Sequence, residues 1–188
     1  MRITKVYTRS GDSGDTSLAT GERVSKASLR VTACGEVDEL NCVLGLAGSK
    51  IADNALRQLL QQIQNHLFVL GADLATPQPE EADRRKDTIR RVAVAEVEWL
   101  ENAIDRHNET LPPLQEFILP GGCEVGALLH LARAVARRAE RAGVGLAARE
   151  KVNPQALIYL NRLSDLLFVL ARVVNRDSGA AETAADFH

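Results

Sequence analysis

Phe117-Ile118-Leu119-Pro120-Gly121-Gly122-Cys123-Glu124-Val125-Gly126-Ala127-Leu128-Leu129-His130-Leu131-Ala132-Arg133-Ala134-Val135-Ala136-Arg137-Arg138-Ala139-Glu140-Arg141 is the stretch that decides the fold. A Pro-Gly-Gly turn runs straight into a helical repeat. At about 100° per residue, Val125, Leu128, Leu129, Ala132, Val135, Ala136, Ala139 and Ala142 share one broad face. His130, Arg133, Arg137, Arg138, Glu140 and Arg141 share the other. The apolar face needs a core to bury it. The polar face carries four arginines, more positive charge than solubility requires. One reading is a solvated face with local pairs such as Arg137–Glu140, worth a few tenths of a kcal/mol each. The other is a polyphosphate site or a subunit interface, because the guanidinium fork suits phosphate and carboxylate oxygens.

The rest of the chain decides what that helix packs against. Its 188 residues are enough for one domain with a substantial core. The 13 Gly and 6 Pro cluster at a few breaks, and aromatics make up only 4%, so long helices packed on helices are expected. The expected organisation is a single domain over 1–188: an arm (1–27), a helical bundle (28–177) and a small, acidic, disordered tail (178–188). A net charge of −2 excludes a general nucleic-acid binder, and any basic site must be local. Cys34, Cys42 and Cys123 form no CxxC pair and have no histidines at metal-site spacing, so reduced thiols in a cytoplasmic protein are expected. Met1–Tyr7 has no apolar h-region, and no apolar run is long enough to span a bilayer, so neither a signal peptide nor a membrane partner is expected.

The first helix is predicted from near Ser28 to about Lys50, with Val37, Leu40, Leu44 and Ala47 inward. Asp38 falls at the edge of that buried stripe. A carboxylate there calls for a cationic partner, and Arg133 or Arg137 is the natural one. Asp53 reads as the N-cap of a second helix that ends near Ala75. His66 stands alone in it and reads as structural or solvated. A polar loop over residues 76–87 leads to a third helix from Thr88 to Asn108, stopped by Leu111-Pro112-Pro113. Trp99 in that helix has no neighbours that make it a stacking platform. Gly143 is expected to end the fourth helix as its C′ residue. Asn153-Pro154 reads as N-cap and first residue of the fifth. There Leu157, Leu160, Leu163, Leu166, Leu167, Leu170 and Val174 face the core, and Asn161, Arg162, Asp165, Arg172 and Arg176 form a narrow polar stripe. Before the helices, Thr8-Arg9-Ser10-Gly11-Asp12-Ser13-Gly14-Asp15-Thr16-Ser17 is not helix-like. Its glycines and hydroxyls suit either a mobile arm or a nest of N–H groups around an anion. It is not a Walker A loop, because the Gly-Lys-Ser/Thr ending is missing.

Four blocks together resemble one family. They are Tyr7-Thr8-Arg9-Ser10-Gly11-Asp12-x-Gly14-x-Thr16-Ser17-Leu18 with Gly21-Glu22-Arg23-Val24-x-Lys26; Arg30-Val31-x-Ala33-x-Gly35-x-Val37-Asp38-Glu39-Leu40-Asn41; Phe117 to Gly122 with His130-x-Ala132-Arg133-x-x-x-Arg137-Arg138-Ala139-Glu140-Arg141; and Val152-Asn153-Pro154 with Tyr159 to Asp165. In this order, across nearly the whole chain, they are similar to the propanediol-utilisation type of ATP:cob(I)alamin adenosyltransferase. Ser10 stands where that pattern has Thr, and Cys123 where it has Ser or Thr.

The resemblance implies an all-α, five-helix up-and-down bundle of ferritin-like architecture with a nucleotide-binding arm. It implies a cytoplasmic homotrimer with active sites between subunits. The implied reaction moves the 5′-deoxyadenosyl group of ATP to the cobalt of cob(I)alamin, with Mg2+, giving adenosylcobalamin and triphosphate. Thr8, Arg9, Ser10, Gly11, Thr16, Ser17 and Lys26 then wrap ATP from one subunit. Arg137, Arg138, Glu140, Arg141 and Asn161 meet it from the neighbour, with Glu140 as a magnesium contact. Arg137 is the principal triphosphate contact. Asp38 and Arg133 form an inter-subunit ion pair on the cobalamin side, and Phe117 helps remove the lower axial ligand. A reductase or an adenosylcobalamin-dependent acceptor enzyme is an implied partner. The competing reading is a helical nucleotide-binding or oligomerisation module that does no chemistry.

Overall fold

A computed structural model describes residues 7, 9–18, 20–79 and 89–187. Among the described residues, five helices carry the fold: α1 Leu29–Ser49, α2 Asn54–Ala75, α3 Val94–Asn108, α4 Glu124–Ala147 and α5 Pro154–Asp177. They alternate in direction. Arg30 near the start of α1 donates to the Leu74 carbonyl near the end of α2, and further along the Asn41 and Gln64 side chains each donate to the other's carbonyl, so α1 and α2 run antiparallel. Lys50 pairs with Glu124 at one end of α1, and Arg138 pairs with Glu36 and Glu39 toward the other, so α4 runs antiparallel to α1. The α4 helix lies between α1 and α5, with α2 beside α1 and α3 beside α5. The core between them is made of aliphatic side chains from all five helices, with Tyr159 wholly buried among them. At roughly 1.5–3 kcal/mol for each fully buried large apolar side chain, this burial is the main force holding the helices together.

The helix starts follow from local chemistry. Ser28 Oγ accepts from Val31 N–H at 3.3 Å, and Asp53 Oδ1 accepts from Ala55 and Leu56 N–H at 2.6 and 3.1 Å. Asn153 Oδ1 accepts from Gln155 N–H at 3.1 Å, with Pro154 in the first turn. Each satisfies amides that a helix cannot pair internally.

Three expectations change. The third helix starts at Val94, not Thr88, which itself lies outside the described residues. Asp73 explains the delay. Its buried carboxylate accepts from Arg91 Nη1 at 2.6 Å, Val92 N–H at 3.0 Å and Asn153 Nδ2 at 2.6 Å, so the backbone at 91–92 is held outside any helix. Gly143 does not end α4. It is buried inside the helix, where a Cβ would strike Leu157 of α5, so it permits close helix approach. The tail does not trail away either. Leu119 N–H donates to the Thr183 carbonyl and Ala185 N–H to the Phe117 carbonyl, both at 2.8 Å, around an Ile118–Ala184 bridge.

The arm contains a small antiparallel hairpin, β1 Asp15–Ser17 with β2 Arg23–Ser25, in which Thr16 faces Val24. Among the described residues, no helix is long and apolar enough to cross a membrane.

Candidate active site

The predicted residues fall into three groups, of which the first two converge within the subunit and the third does not; one predicted residue, Thr8, lies outside the described residues. The first group is in the arm. Gly14 N–H donates to the Gly11 carbonyl at 3.3 Å, and Lys26 N–H to the Gly14 carbonyl at 2.8 Å. Lys26 Nζ closes the loop by donating to the Gly11 carbonyl at 2.7 Å, and Arg23 Nη2 donates to the Ser10 carbonyl at 2.9 Å. A side chain at Gly11 would crowd both Asp15 and Lys26. Gly14 has a positive φ of 92°, and so does Arg9 at 60°, whose guanidinium lies 5.7 Å from the Tyr7 ring. The loop from Arg9 to Gly14 is thus compact and solvent-facing, with an ammonium at its mouth. Thr16 is half-buried in the hairpin and Ser17 is exposed.

The second group forms where α4 meets α5. Arg137, Glu140, Arg141 and Val144 line a shallow cavity of about 280 Å³. Arg141 Nη1 donates to the Arg137 carbonyl at 3.1 Å, which sets the two guanidinium groups on one side of the helix. The Arg137 side chain itself makes no hydrogen bond or ion pair within the described residues. Glu140 Oε1 accepts from Asn161 Nδ2 at 3.1 Å. Asn161 Oδ1 accepts from Arg162 Nη1 at 2.8 Å, and Arg162 Nε reaches Glu101 of α3 at 2.8 Å. Asp165 borders this cluster. Burial pushes its carboxyl above the ordinary value, Glu140 adds to that, and Arg162 and Arg137 oppose it. Glu101 and Asp165 belong to this network although neither is among the predicted site residues; the Arg162–Asp165 stripe was their one visible signal.

Arg138 departs from the group. It turns to α1 and binds the carboxylates of Glu36 and Glu39, which hold its guanidinium firmly protonated. Glu36 and Glu39, in the first half of α1, therefore clasp α4.

The third group lies toward the N-terminal end of α4. Arg133 is half-buried with its Nε unpaired, and burial together with the Arg137 charge pushes its guanidinium below the ordinary value. Asp38 is exposed and has no hydrogen bond or ion pair within the described residues, so neither Arg133 nor Arg137 meets it within the subunit. His130 was placed on the polar face but is only 3% exposed. Its ring packs edge-on against Phe168 at 5.9 Å, and neither ring nitrogen has a partner. Phe117 is 78% exposed and stands edge-on to Phe187 at 6.3 Å.

His66 proves structural, as its isolation implied. Its Nδ1 lies 3.1 Å from the buried Tyr159 hydroxyl, and its ring stacks edge-on with Trp99 at 5.0 Å. Burial lowers its pKa, which keeps the ring neutral and able to accept from the phenol. No group of three or more His, Cys, Asp or Glu side chains among the described residues is arranged to hold a metal. A cation here would need a ligand's oxygens beside Glu140.

The arrangement offers a cationic cleft with one uncommitted guanidinium, a closed glycine loop and an exposed aromatic. The family model for cobalamin adenosyltransferase matches residues 6–174. The corrinoid adenosyltransferase PduO of Salmonella typhimurium is 46% identical over 94% of this chain, which spans 51% of that protein's length. The corrinoid adenosyltransferase of Mycobacterium leprae is 43% identical over 93% of this chain and 93% of its own. Among solved structures, a variant PduO-type ATP:corrinoid adenosyltransferase from Lactobacillus reuteri, complexed with cobalamin and ATP, superposes with a TM-score of 0.90. It is 38% identical and covers 97% of both chains.

Proposed function

The chain belongs to the cobalamin adenosyltransferase family, and from that premise we propose that it transfers the 5′-deoxyadenosyl group of ATP to the cobalt of cob(I)alamin. The bond formed is Co–C5′. The bond broken is C5′–O5′, whose electron pair leaves with triphosphate. Co(I) is a strong nucleophile that needs no activation by the protein. The protein's task is to hold C5′ in line with cobalt and to stabilise charge on the departing triphosphate.

The observation that carries this reading is the Arg137–Arg141 cleft. Arg137 is exposed beside a second guanidinium and leaves its fork uncommitted, as a receptor for a polyphosphate requires. The Gly11–Lys26 loop supplies backbone amides and an ammonium that retains two further N–H donors after meeting the Gly11 carbonyl. Thr8, Arg9, Ser10, Gly11, Thr16, Ser17 and Lys26 are assigned to ATP from one subunit. Arg137, Glu140, Arg141 and Asn161 are assigned to it from the neighbour. Arg138 joins them only by giving up part of its hold on Glu36 and Glu39.

Magnesium fits this cleft as a shared ion. Mg2+ commonly takes one or two carboxylates together with substrate phosphates and waters. Glu140, oriented by Asn161 at the cleft wall, is the carboxylate available for it. Bound there, the ion would neutralise triphosphate charge.

We assign Asp38 and Arg133 to an ion pair across a homotrimer interface. Neither has a hydrogen bond or ion pair among the described residues of its own subunit, and a half-buried guanidinium with an unpaired Nε needs a partner. Phe117 is assigned to the lower face of the corrinoid, where it helps remove the axial ligand and leaves four-coordinate Co(II), which is easier to reduce. Three free cysteines and the use of ATP suit the cytoplasm, and a reductase or an acceptor for adenosylcobalamin is the expected protein partner. Product identity tests the reading: chemically reduced cobalamin and ATP must yield triphosphate. ADP as the product, or an unchanged cobalamin spectrum, would leave the binding-module alternative.

A further inference from the structure

Three side chains in the last turns of α5 reach back to the segment between α3 and α4. Arg172, buried, donates from Nη2 to the Pro112 carbonyl at 2.9 Å and from Nε to Glu182 at 2.7 Å. Arg176 donates to the Thr110 carbonyl and hydroxyl at 2.6 and 2.7 Å. Between them lies Asn175, only 2% exposed. Its Oδ1 accepts from Cys123 N–H at 3.0 Å, and its Nδ2 donates to the Gly121 carbonyl at 2.9 Å. Both ends of the amide are therefore spent on the Pro-Gly-Gly turn.

Two glycines are cut to its shape. A Cβ at Gly122 or at Gly126 would overlap the Asn175 amide, and Gly122 has a φ of 101° besides. One buried amide thus accounts for two glycines of the stretch that opens α4. The Asn175 carbonyl also accepts from Ala180 N–H and from Ser178 Oγ, both at 2.9 Å, which turns the chain into its returning tail. That tail pairs with residues 117–119 and brings Phe187 against Phe117. Both segments that present Phe117 therefore leave from Asn175.

We propose that Asn175 is the positioning residue for Phe117: its side-chain amide fixes the Gly121–Cys123 turn and its carbonyl fixes the tail, and together they set where the Phe117 ring stands over the corrinoid. The inference rests on the assignment of Phe117 above. Asn175 touches no substrate and acts through the turn alone.

The test uses full-length protein with cob(II)alamin, ATP and Mg2+, and compares wild type with Phe117→Ala, Asn175→Leu and the double variant Asn175→Ala/Gly126→Ala. In the double variant the new Cβ at position 126 refills the space left by the amide, so packing returns without the hydrogen bonds. Electron paramagnetic resonance reads the four-coordinate Co(II) fraction, while thermal unfolding and ATP Kd are measured alongside. The double variant is expected to fold and to bind ATP within about twofold, while the unpaired Cys123 N–H and Gly121 carbonyl lower its unfolding temperature by several degrees. Its four-coordinate fraction is expected to fall at least about tenfold, the scale of buried hydrogen bonds left unmade, matching Phe117→Ala. If the double variant fails to fold, Asn175→Leu, similar in volume, carries the same expectation. A wild-type four-coordinate fraction in the folded Asn175 variants, with the signal lost in Phe117→Ala, overturns the role of Asn175 alone. A wild-type fraction in Phe117→Ala overturns the assignment of Phe117 and this inference with it.

Discussion

Replacing Arg137 with Ala separates chemistry from folding. The side chain is exposed and makes no hydrogen bond or ion pair in the described residues, so its removal leaves no buried group unpaired. Its backbone carbonyl, which accepts from Arg141, is untouched by the substitution. Alanine is slightly the better helix former, and repulsion on Arg133, whose pKa the Arg137 charge lowers, is relieved. Stability should therefore stay within about 0.5 kcal/mol of wild type. Catalysis should not. A charged donor aimed at a developing anion is worth about 2–4 kcal/mol. At 1.4 kcal/mol per factor of ten, turnover should fall about 30- to 1000-fold. Lysine keeps the charge but not the planar fork, so Arg137→Lys should fall between the two. The assay is the initial rate of alkylcobalamin formation at saturating ATP and cob(I)alamin, with unfolding followed by circular dichroism on the same preparations. Near-normal turnover in Arg137→Ala refutes the assignment. A loss of rate that merely tracks a loss of stability refutes the claim that this arginine is free for substrate.

Asp73→Ala should destabilise the fold by about 3–5 kcal/mol, because it removes the buried carboxylate that balances the Arg91 charge and leaves the buried Val92 N–H unpaired; at about 2–4 °C per kcal/mol for a chain of this size, Tm should drop by roughly 6–20 °C, and a drop under 3 °C would show the clasp to be dispensable. His130 gives a pH prediction. Burial, helped by the Arg133 charge and opposed by Glu182, lowers its pKa from an ordinary 6.5. The unfolded chain therefore takes up the proton first, so stability is fully present above about pH 6.5 and declines as pH falls from there toward the folded pKa. Tm measured from pH 7.5 to 5 should fall, and His130→Gln should flatten part of that slope; an unchanged slope would assign the acid sensitivity to His66 and His107, whose pKa values are also lowered by burial. Asp38→Asn should cost at least about tenfold in turnover if it meets the neighbour's guanidinium, whereas Glu39→Gln, which weakens an exposed pair with Arg138, should cost little; equal effects in steady-state assays would make Asp38 a plain surface acid.

The helices were legible because each carries its own signal. The leucine spacing of α5, the Asn153-Pro154 start and the Asp53 cap are local chemistry, and all three stand in the structure. What could not be read depends on partners distant in sequence. Gly143 has the composition of a helix stop, yet it faces Leu157, so the helix continues and Leu146 reaches the core. The delayed start of α3 is dictated by Asp73, some twenty residues away. His130 looked polar by angle but is covered by Phe168 of α5. The small acidic tail looked disordered because its anchors, Arg172 and Asn175, belong to another element. The candidate site was legible as a set of residue types. Arg137, Glu140, Arg141 and Asn161 do converge, whereas the turning of Arg138 toward Glu36 and Glu39 depends on how α1 packs against α4.

The central claim is alkylation of cobalt by ATP. Its most direct test is an anaerobic absorbance time course with chemically reduced cobalamin, ATP and Mg2+. Loss of the Co(I) band, with growth of a light-sensitive alkylcobalamin spectrum and triphosphate in the product, is the predicted result. A stable Co(I) band, with the protein folded and ATP shown to bind, would contradict it.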